Sequence, residues 1–270
     1  MHWHRAVAHC AGAGTPYVIA TVLATSGSAP REGGTKMVIT RAAIYDSIGG
    51  GQLEHLVIER AREQLVGAGT GASVHHFPLA AAATQCCGGS VTVLLESFGE
   101  PALRATVFGA GHVGRRVIAL LADLDAQVQW FDARPEIAAE AGVTCTRIES
   151  AAASVQGLES LGEVLVLTHD HQLDFDLVVA LLERDVPAIG LIGSATKWQR
   201  FQARLRQRGF SDAQLQRVRC PVGAPQVPGK QPMAIAIAIV AELLQRRELP
   251  QVATEPLSWK QLRQTLVREP

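Results

Sequence analysis

The stretch "ATVFGAGHVGRRVIALLADLDAQVQWFD", residues 105 to 132, decides the fold. It opens as a short apolar strand and turns through Gly109-Ala110-Gly111-His112-Val113-Gly114. An amphipathic helix follows, and then a second strand that closes on Asp132. Gly109 permits the tight turn, Gly111 lets the backbone approach a phosphate, and Gly114 lets the helix pack on the sheet. A helix that starts there directs unpaired N–H groups and the positive end of its dipole at an anion. Asp132 stands 23 residues after Gly109, near the position from which an acid holds a ribose hydroxyl in dinucleotide enzymes. Strand, glycine turn, helix and acid together predict a Rossmann-type unit. They do not fix its ligand, because glycines at this spacing also simply shape turns.

The alternation continues past Asp132. "EVLVLTHD" and "PAIGLIG" read as strands and "RVRCPVG" as a short strand or loop; "FDLVVALLERD", "SATKWQRFQARLRQRG" and "QPMAIAIAIVAELLQRRE" read as helices. Short buried strands alternating with such helices predict a parallel, doubly wound sheet. Before residue 100 the pattern differs. "YVIATVLAT", "TKMVIT" and "SVTVLLE" read as strands, with one helix, "QLEHLVIERAREQLVGAG", between the last two. The expected fold is therefore α/β, with a C-terminal Rossmann-type doubly wound parallel sheet and a smaller N-terminal α/β domain. The boundaries read as 1–100, a linker at 101–105, the Rossmann-type domain at 106–248 and a tail at 249–270.

The chain has 270 residues, 47% hydrophobic and 19% charged, enough to bury a core. Its formal net charge is zero, which argues against a broad surface for nucleic acid or anionic lipid. The longest apolar run, "MAIAIAIVA" at 233 to 241, is far short of the roughly 20 residues a membrane span needs. The N-terminus carries no clear basic region ahead of its apolar piece, so a cytoplasmic protein without a signal peptide is expected. The five cysteines at 10, 86, 87, 145 and 220 form no disulfide framework and no CxxC zinc site.

Three further stretches carry chemistry. "Thr168-His169-Asp170-His171" follows the strand "EVLVL", at the edge where open α/β sheets bind ligands. His169, Asp170 and His171 can bind a metal, move a proton or grip an oxyanion, unless Asp170 only caps the next helix. "Gly193-Ser194-Ala195-Thr196-Lys197" also joins a strand to a helix. There Ser194, Lys197 and the backbone can cradle an anion, or Ser194 can serve as a plain N-cap. In the first half, Gly27 to Met37 and Ile48 to Glu54 are glycine loops, read as sharp turns with solvated charges more readily than as anion sites.

"QCCGG", residues 85 to 89, sets two thiols side by side. Adjacent side chains of extended chain point in opposite directions, so Cys86 and Cys87 do not chelate together, and a bond between neighbours would be strained. One faces a ligand at most, and the other is a small core residue. The glycines let a ligand come close, and a thiolate there suits molybdenum, copper or sulfur chemistry. Cys87, which abuts Gly88, is preferred, though the choice stays open.

Several of these stretches converge on a family. "GSAPREGGTKMVIT", "IGGGQLEHLVIERARE" and "QCCGGSVTVLLE" resemble the N-terminal domain of the XdhC/CoxI proteins. The 105–132 stretch with "RPE", "VLTHDHQLDFDLVVALL", "IGLIGSATKWQRFQARLRQRGF" and "CPVG…QPMAIAIAIVAELL" resembles their Rossmann domain, in the same order. The resemblance covers about residues 15 to 245. It implies an accessory chaperone of xanthine dehydrogenase maturation in purine catabolism, not an enzyme. Such a protein binds the molybdenum cofactor, a pterin with a dithiolene and a phosphate. It holds the cofactor while a cysteine desulfurase supplies a terminal sulfido ligand, and then inserts it into xanthine dehydrogenase. The resemblance makes Cys86 or Cys87 the thiol near the metal and Gly109, Gly111, His112 and Gly114 the phosphate loop. Asp132, His169, Asp170, His171, Ser194 and Lys197 become pocket-lining candidates. The loop after "CPVG" departs from the family pattern, and Ala238 stands where a serine is common. A homodimer is compatible with this reading. NAD(P) is the alternative ligand, with an NAD(P)-dependent oxidoreductase or a ligand-free adaptor between desulfurase and dehydrogenase as alternative functions.

Overall fold

The computed structural model describes residues 1–27, 31–66, 70–79, 89–134, 136, 139–158, 162–246 and 259. The chain divides into two compact units, one built on Met1–Glu100 and the other on Pro101–Leu249.

The first unit is an antiparallel sheet flanked by helices. Its strands are β1 (Tyr17–Ser26), β2 (Lys36–Thr40), β3 (Ile44–Asp46), β4 (Gly71–Pro78) and β5 (Ser90–Phe98), and its helices α1 (Trp3–Gly12) and α2 (Gly51–Val66). The order is β3-β2-β1-β5-β4, with every pairing antiparallel. Period-two alternation sorts the strand residues. Val18, Ala20, Val22, Met37, Ile39, Val91, Val93 and Leu95 turn to one face, where α2 supplies Leu53, Val57, Ala61 and Leu65 at helical spacing. Tyr17 and Val38 face the other way and pack on Ala6 and Cys10 of α1. Helix α1 and strands β3 and β4 were not expected from the sequence.

The second unit runs β6 (Leu103–Phe108), α3 (His112–Ala122), β7 (Ala126–Asp132), β8 (Ala139–Glu140), β9 (Val143–Arg147) and α4 (Ala151–Gln156). It continues with β10 (Glu163–Val166), α5 (His171–Glu183), β11 (Ile189–Leu191), α6 (Ala195–Gln207), α7 (Asp212–Leu215), β12 (Val218–Arg219) and α8 (Pro232–Arg246). The sheet order is β12-β11-β10-β6-β7-β9-β8. All neighbours are parallel except β8 on β9. Consecutive strand residues feed two separate cores. Val107, Trp130 and Leu165 pack with Val117, Ile118 and Leu121 of α3 and Ile239 and Leu243 of α8. Phe108, Phe131 and Val166 pack with Phe175, Val178 and Leu181 of α5 and Phe201 and Leu205 of α6. Burial on both faces is why these strands read as unbroken apolar runs. After β9 the chain returns to the far side of β6 and lays down β10, β11 and β12 in the opposite direction. The β6–β10 pair is thus the topological switch point of a Rossmann sheet.

Candidate functional site

The loops at the carboxyl ends of β6 and β10 are the glycine loop and the Thr168–His171 loop, so the fold brings two separately read motifs to one switch point. The ladder carries on into both: Gly109 N–H donates to the Phe131 carbonyl at 2.7 Å and Leu167 N–H to the Phe108 carbonyl at 2.7 Å. Gly193 and Ser194 follow β11, the next strand over.

The three loop glycines do different work. Gly109 has φ +113°, and a Cβ there would run into the Leu167 carbonyl and lie 2.8 Å from the Thr168 nitrogen. A Cβ on Gly114 would collide with the Gly109 carbonyl oxygen and sit 3.0 Å from its carbon. These two permit close backbone approach. Gly111 is different, since a Cβ there would meet nothing within 4 Å. It caps α3 with no side-chain hydrogen bond, leaving the first-turn amides for an approaching acceptor. That opening and donor set fit a phosphate group. His112, the first residue of α3, is exposed.

Asp132 has a different role from the expected ribose acceptor. Its side chain is 3% exposed. Oδ2 accepts the Ala110 N–H at 2.5 Å and Arg134 Nη2 at 3.0 Å, and Oδ1 accepts the Arg134 N–H and Nε, both at 2.8 Å. Burial by itself would push this carboxyl up. The Arg134 side chain and the backbone donors Arg134 and Ala110 overcome it and hold the carboxyl below its usual range. Asp132 therefore ties the glycine loop to the end of β7. At the next peptide, Arg115 Nε lies 3.4 Å from the Ala110 carbonyl while its Nη1 pairs with Glu140 at 3.0 Å.

The β10 loop is also ordered from within. Asp170 is the N-cap of α5, accepting the N–H groups of Gln172 at 2.7 Å and Leu173 at 3.2 Å. Those amide bonds hold its carboxyl below the ordinary value. His169 and His171 are exposed on either side of it. Ser194 caps α6 through the Lys197 N–H at 3.1 Å. The Lys197 ammonium turns inward, donating to Asp174 at 2.5 Å and to the Ile192 carbonyl at 2.9 Å. Asp174 also accepts the Thr168 hydroxyl at 2.6 Å and is fully buried. Burial pushes Asp174 above its ordinary value, against the pull of Lys197 and Thr168. This buried pair replaces the expected lysine grip on an anion and locks the loops after β10 and β11 together. Asp174 escaped the sequence reading. Its signal was an acid at a core-facing position of α5, between Leu173 and Phe175. Cys220 lies beside this pair; burial pushes its thiol up to about 11, with Lys197 opposing and Asp174 adding.

In the first unit, Glu54 organises the Gly49–Gly51 turn. One of its oxygens accepts the Ser47 hydroxyl at 2.6 Å and the N–H groups of Ile48 at 3.1 Å and Gly50 at 3.0 Å. Lys36 donates to Thr21 at 2.9 Å. Cys86 and Cys87 lie outside the described residues, as does the 249–270 tail apart from Trp259. Among the described residues no group of three or more His, Cys, Asp or Glu is arranged to hold a metal ion. None of the described helices is long and apolar enough to cross a membrane.

A Rossmann unit with an open glycine loop at its switch point, joined to an antiparallel α/β unit, defines the class of protein. Sequence comparison refines it. The profile described as the XdhC Rossmann domain matches residues 106–243, and that of the XdhC and CoxI family matches residues 10–78. The chain belongs to the XdhC and CoxI family. It is 29% identical over 239 residues to the uncharacterized protein YqeB of Escherichia coli strain K12, an alignment covering 85% of this chain and 43% of that one. The chain thus spans less than half the length of that curated relative. A crystal structure described as a xanthine dehydrogenase from Bacillus halodurans aligns with a TM-score of 0.45 and 21% identity, over 96% of this chain and 99% of that one.

Proposed function

We propose that this protein is an accessory chaperone that carries the molybdenum cofactor for xanthine dehydrogenase. In this reading it binds the cofactor, presents it to a cysteine desulfurase for sulfuration and passes it to the dehydrogenase, without catalysing a reaction of its own. The observation that carries the reading is the open Gly111 corner of the glycine loop, in a chain of the XdhC and CoxI family. A dianionic phosphate suits uncapped helix amides, and the cofactor bears such a group. Cys86 or Cys87, with Cys87 preferred, is assigned as the soft ligand near the metal, and the exposed His112, His169 and His171 as contacts at the rim. A carrier must also let go. Transfer requires that the acceptor bind the cargo more tightly or favour a conformation of the carrier that binds it less well. The cytoplasm, where both protein partners would be met, is the compartment this role implies.

The test is the molybdenum content and visible absorption of the full chain purified from a host that makes the cofactor. It is followed by activation of cofactor-free xanthine dehydrogenase on mixing. Stoichiometric metal and activation are expected, both reduced by Cys87→Ala or Cys86→Ala. Protein that emerges metal-free from such a host and activates nothing would sink the proposal.

A further inference from the structure

We propose that Asp132 and Arg134 form a selectivity lock at the β7 edge of the switch-point crevice, closed to a ribose diol and suited to a phosphate-type anion. Hydrogen-bond capacity closes the acid to further donors. A carboxylate offers about four lone-pair positions. Asp132 receives four donors: Ala110 N–H and Arg134 Nη2 on one oxygen, Arg134 N–H and Nε on the other, at 2.5 to 3.0 Å. The 2′- and 3′-hydroxyls of an unphosphorylated nucleotide ribose bind such an acid as donors, and here they find no position left. To enter they must displace a bidentate guanidinium from a carboxylate that is 3% exposed. That strips a buried charge of its strongest partner.

Arg134 is the other half of the lock. Its side chain is 36% exposed, and its Nη1 takes no part in the clamp. Anchored from behind, the guanidinium is a pre-organised donor for an anion arriving at the end of β7. Arg115, from α3, brings a second guanidinium to the glycine loop, its Nε 3.4 Å from the Ala110 carbonyl. The opposing charges nearby are Glu140, paired with Arg115, and Glu136, which acts on Arg134 through space. The two glutamates temper the site's charge without reopening Asp132.

The inference does not rest on the molybdenum reading, because it concerns the β7 edge alone and metal content does not enter its test. NADH and NADPH are the probes, since they differ only in the phosphate on the adenosine ribose. Each is titrated into the full chain by calorimetry, for the native protein and for Arg134→Ala and Arg134→Lys. The native protein is expected to favour NADPH over NADH by at least tenfold, or to bind neither. Arg134→Ala uncovers Asp132 and is expected to move the preference toward NADH by tenfold or more. Arg134→Lys keeps the charge and is expected to fall between. Matching melting curves establish that the variants fold. Two results overturn the lock: native protein that binds NADH as well as NADPH, or an Arg134→Ala variant with unchanged preference, including no binding of either nucleotide before and after.

Discussion

Exchanging single glycines for alanine separates the structural from the ligand-binding part of the loop. At Gly114 a new methyl would press on the carbonyl oxygen of Gly109 and lie 3.0 Å from its carbon. Neither atom can swing aside, because Gly109 is itself held at φ +113° against the Leu167 backbone. Overpacking of this kind costs about 1–3 kcal/mol and more when the obstacle is rigid. Alanine recovers about 1 kcal/mol of helix propensity. With a rigid obstacle putting the cost at the top of that range or above, a net loss of about 2 kcal/mol or more remains, and at roughly 2–4 °C per kcal/mol for a unit this size the melting temperature should fall by about 4–8 °C or more. Gly111 offers the contrast. Its φ of −74° is open to any residue and its surroundings are empty, so Gly111→Ala should cost no more than about 1 kcal/mol as a weaker N-cap. The methyl does occupy the space through which a phosphate would approach. The assay is a thermal melt of each variant beside its molybdenum content after expression with the cofactor. Gly114→Ala melting within 2 °C of the native protein would refute the packing argument. Gly111→Ala that retains full metal would refute the cradle.

Other expectations follow from the same contacts. Removing one partner of the buried Asp174–Lys197 pair, as in Lys197→Met, should cost about 3–5 kcal/mol in urea unfolding, and the double change Asp174→Leu with Lys197→Met should cost clearly less. A double variant as unstable as the sum of the singles would mean the pair is not coupled. Asp132 is held below its unfolded value near 3.8, so its stabilisation is complete above that pH and is lost as pH falls through the lower folded value. Native protein should therefore lose stability in that acid window more steeply than Asp132→Asn, which starts out weaker at neutral pH; parallel acid curves would contradict this. Burial holds the Cys145 and Cys220 thiols at about 11 and raises Cys10. At pH 8 all three should resist alkylation in the folded state, so that fast labelling found by peptide mapping belongs to Cys86 or Cys87. Rapid modification of Cys220 would show that its shelter is misjudged.

Legibility in the sequence followed the range of the interactions. The β6–α3–β7 segment was readable because its glycines, periodicity and terminal acid act within one supersecondary unit. The α1 helix was not. It has no capping side chain at His2, and its apolar stripe of Trp3, Ala6, Val7 and Cys10 is short and built mostly of small residues interleaved with His4 and His9, a weak signal without a cap to mark where it begins. Strand β4, "GASVHHFP", mostly alternates in exposure, but its half-buried face carries Gly71, Ser73 and His75 before Phe77, so no alternation of apolar and polar residues marks it. The pairing of Asp174 with Lys197 spans 23 residues and exists only because β10 and β11 are neighbours, which no local pattern encodes. Arg134 was within reach, two residues beyond Asp132. An acid at the end of the second strand suggests a ribose contact before it suggests a clamp, and the clamp depends on the turn after β7 folding Arg134 back onto Asp132.

The crevice shows a division that bears on how a carrier works. The charged side chains that drew attention as binding groups are committed to the protein itself: Asp132 to the loop and Arg134, Asp170 to the start of α5, Lys197 to Asp174 and the Ile192 carbonyl. A side chain committed in this way fixes geometry instead of gripping a ligand, since engaging a ligand would first break a bond already made. Among the described residues, what remains toward a ligand is the main chain at Gly111 and the start of α3, the outward Nη1 of Arg134 at the β7 edge, and the exposed His112, His169 and His171. Amides held by the fold bind a phosphate without rearranging, and they hold no charge of their own that must be neutralised when it leaves. A site that positions with most of its ionised groups and binds a phosphate chiefly with its backbone is one from which a receiving protein can take the cargo by offering stronger ligands.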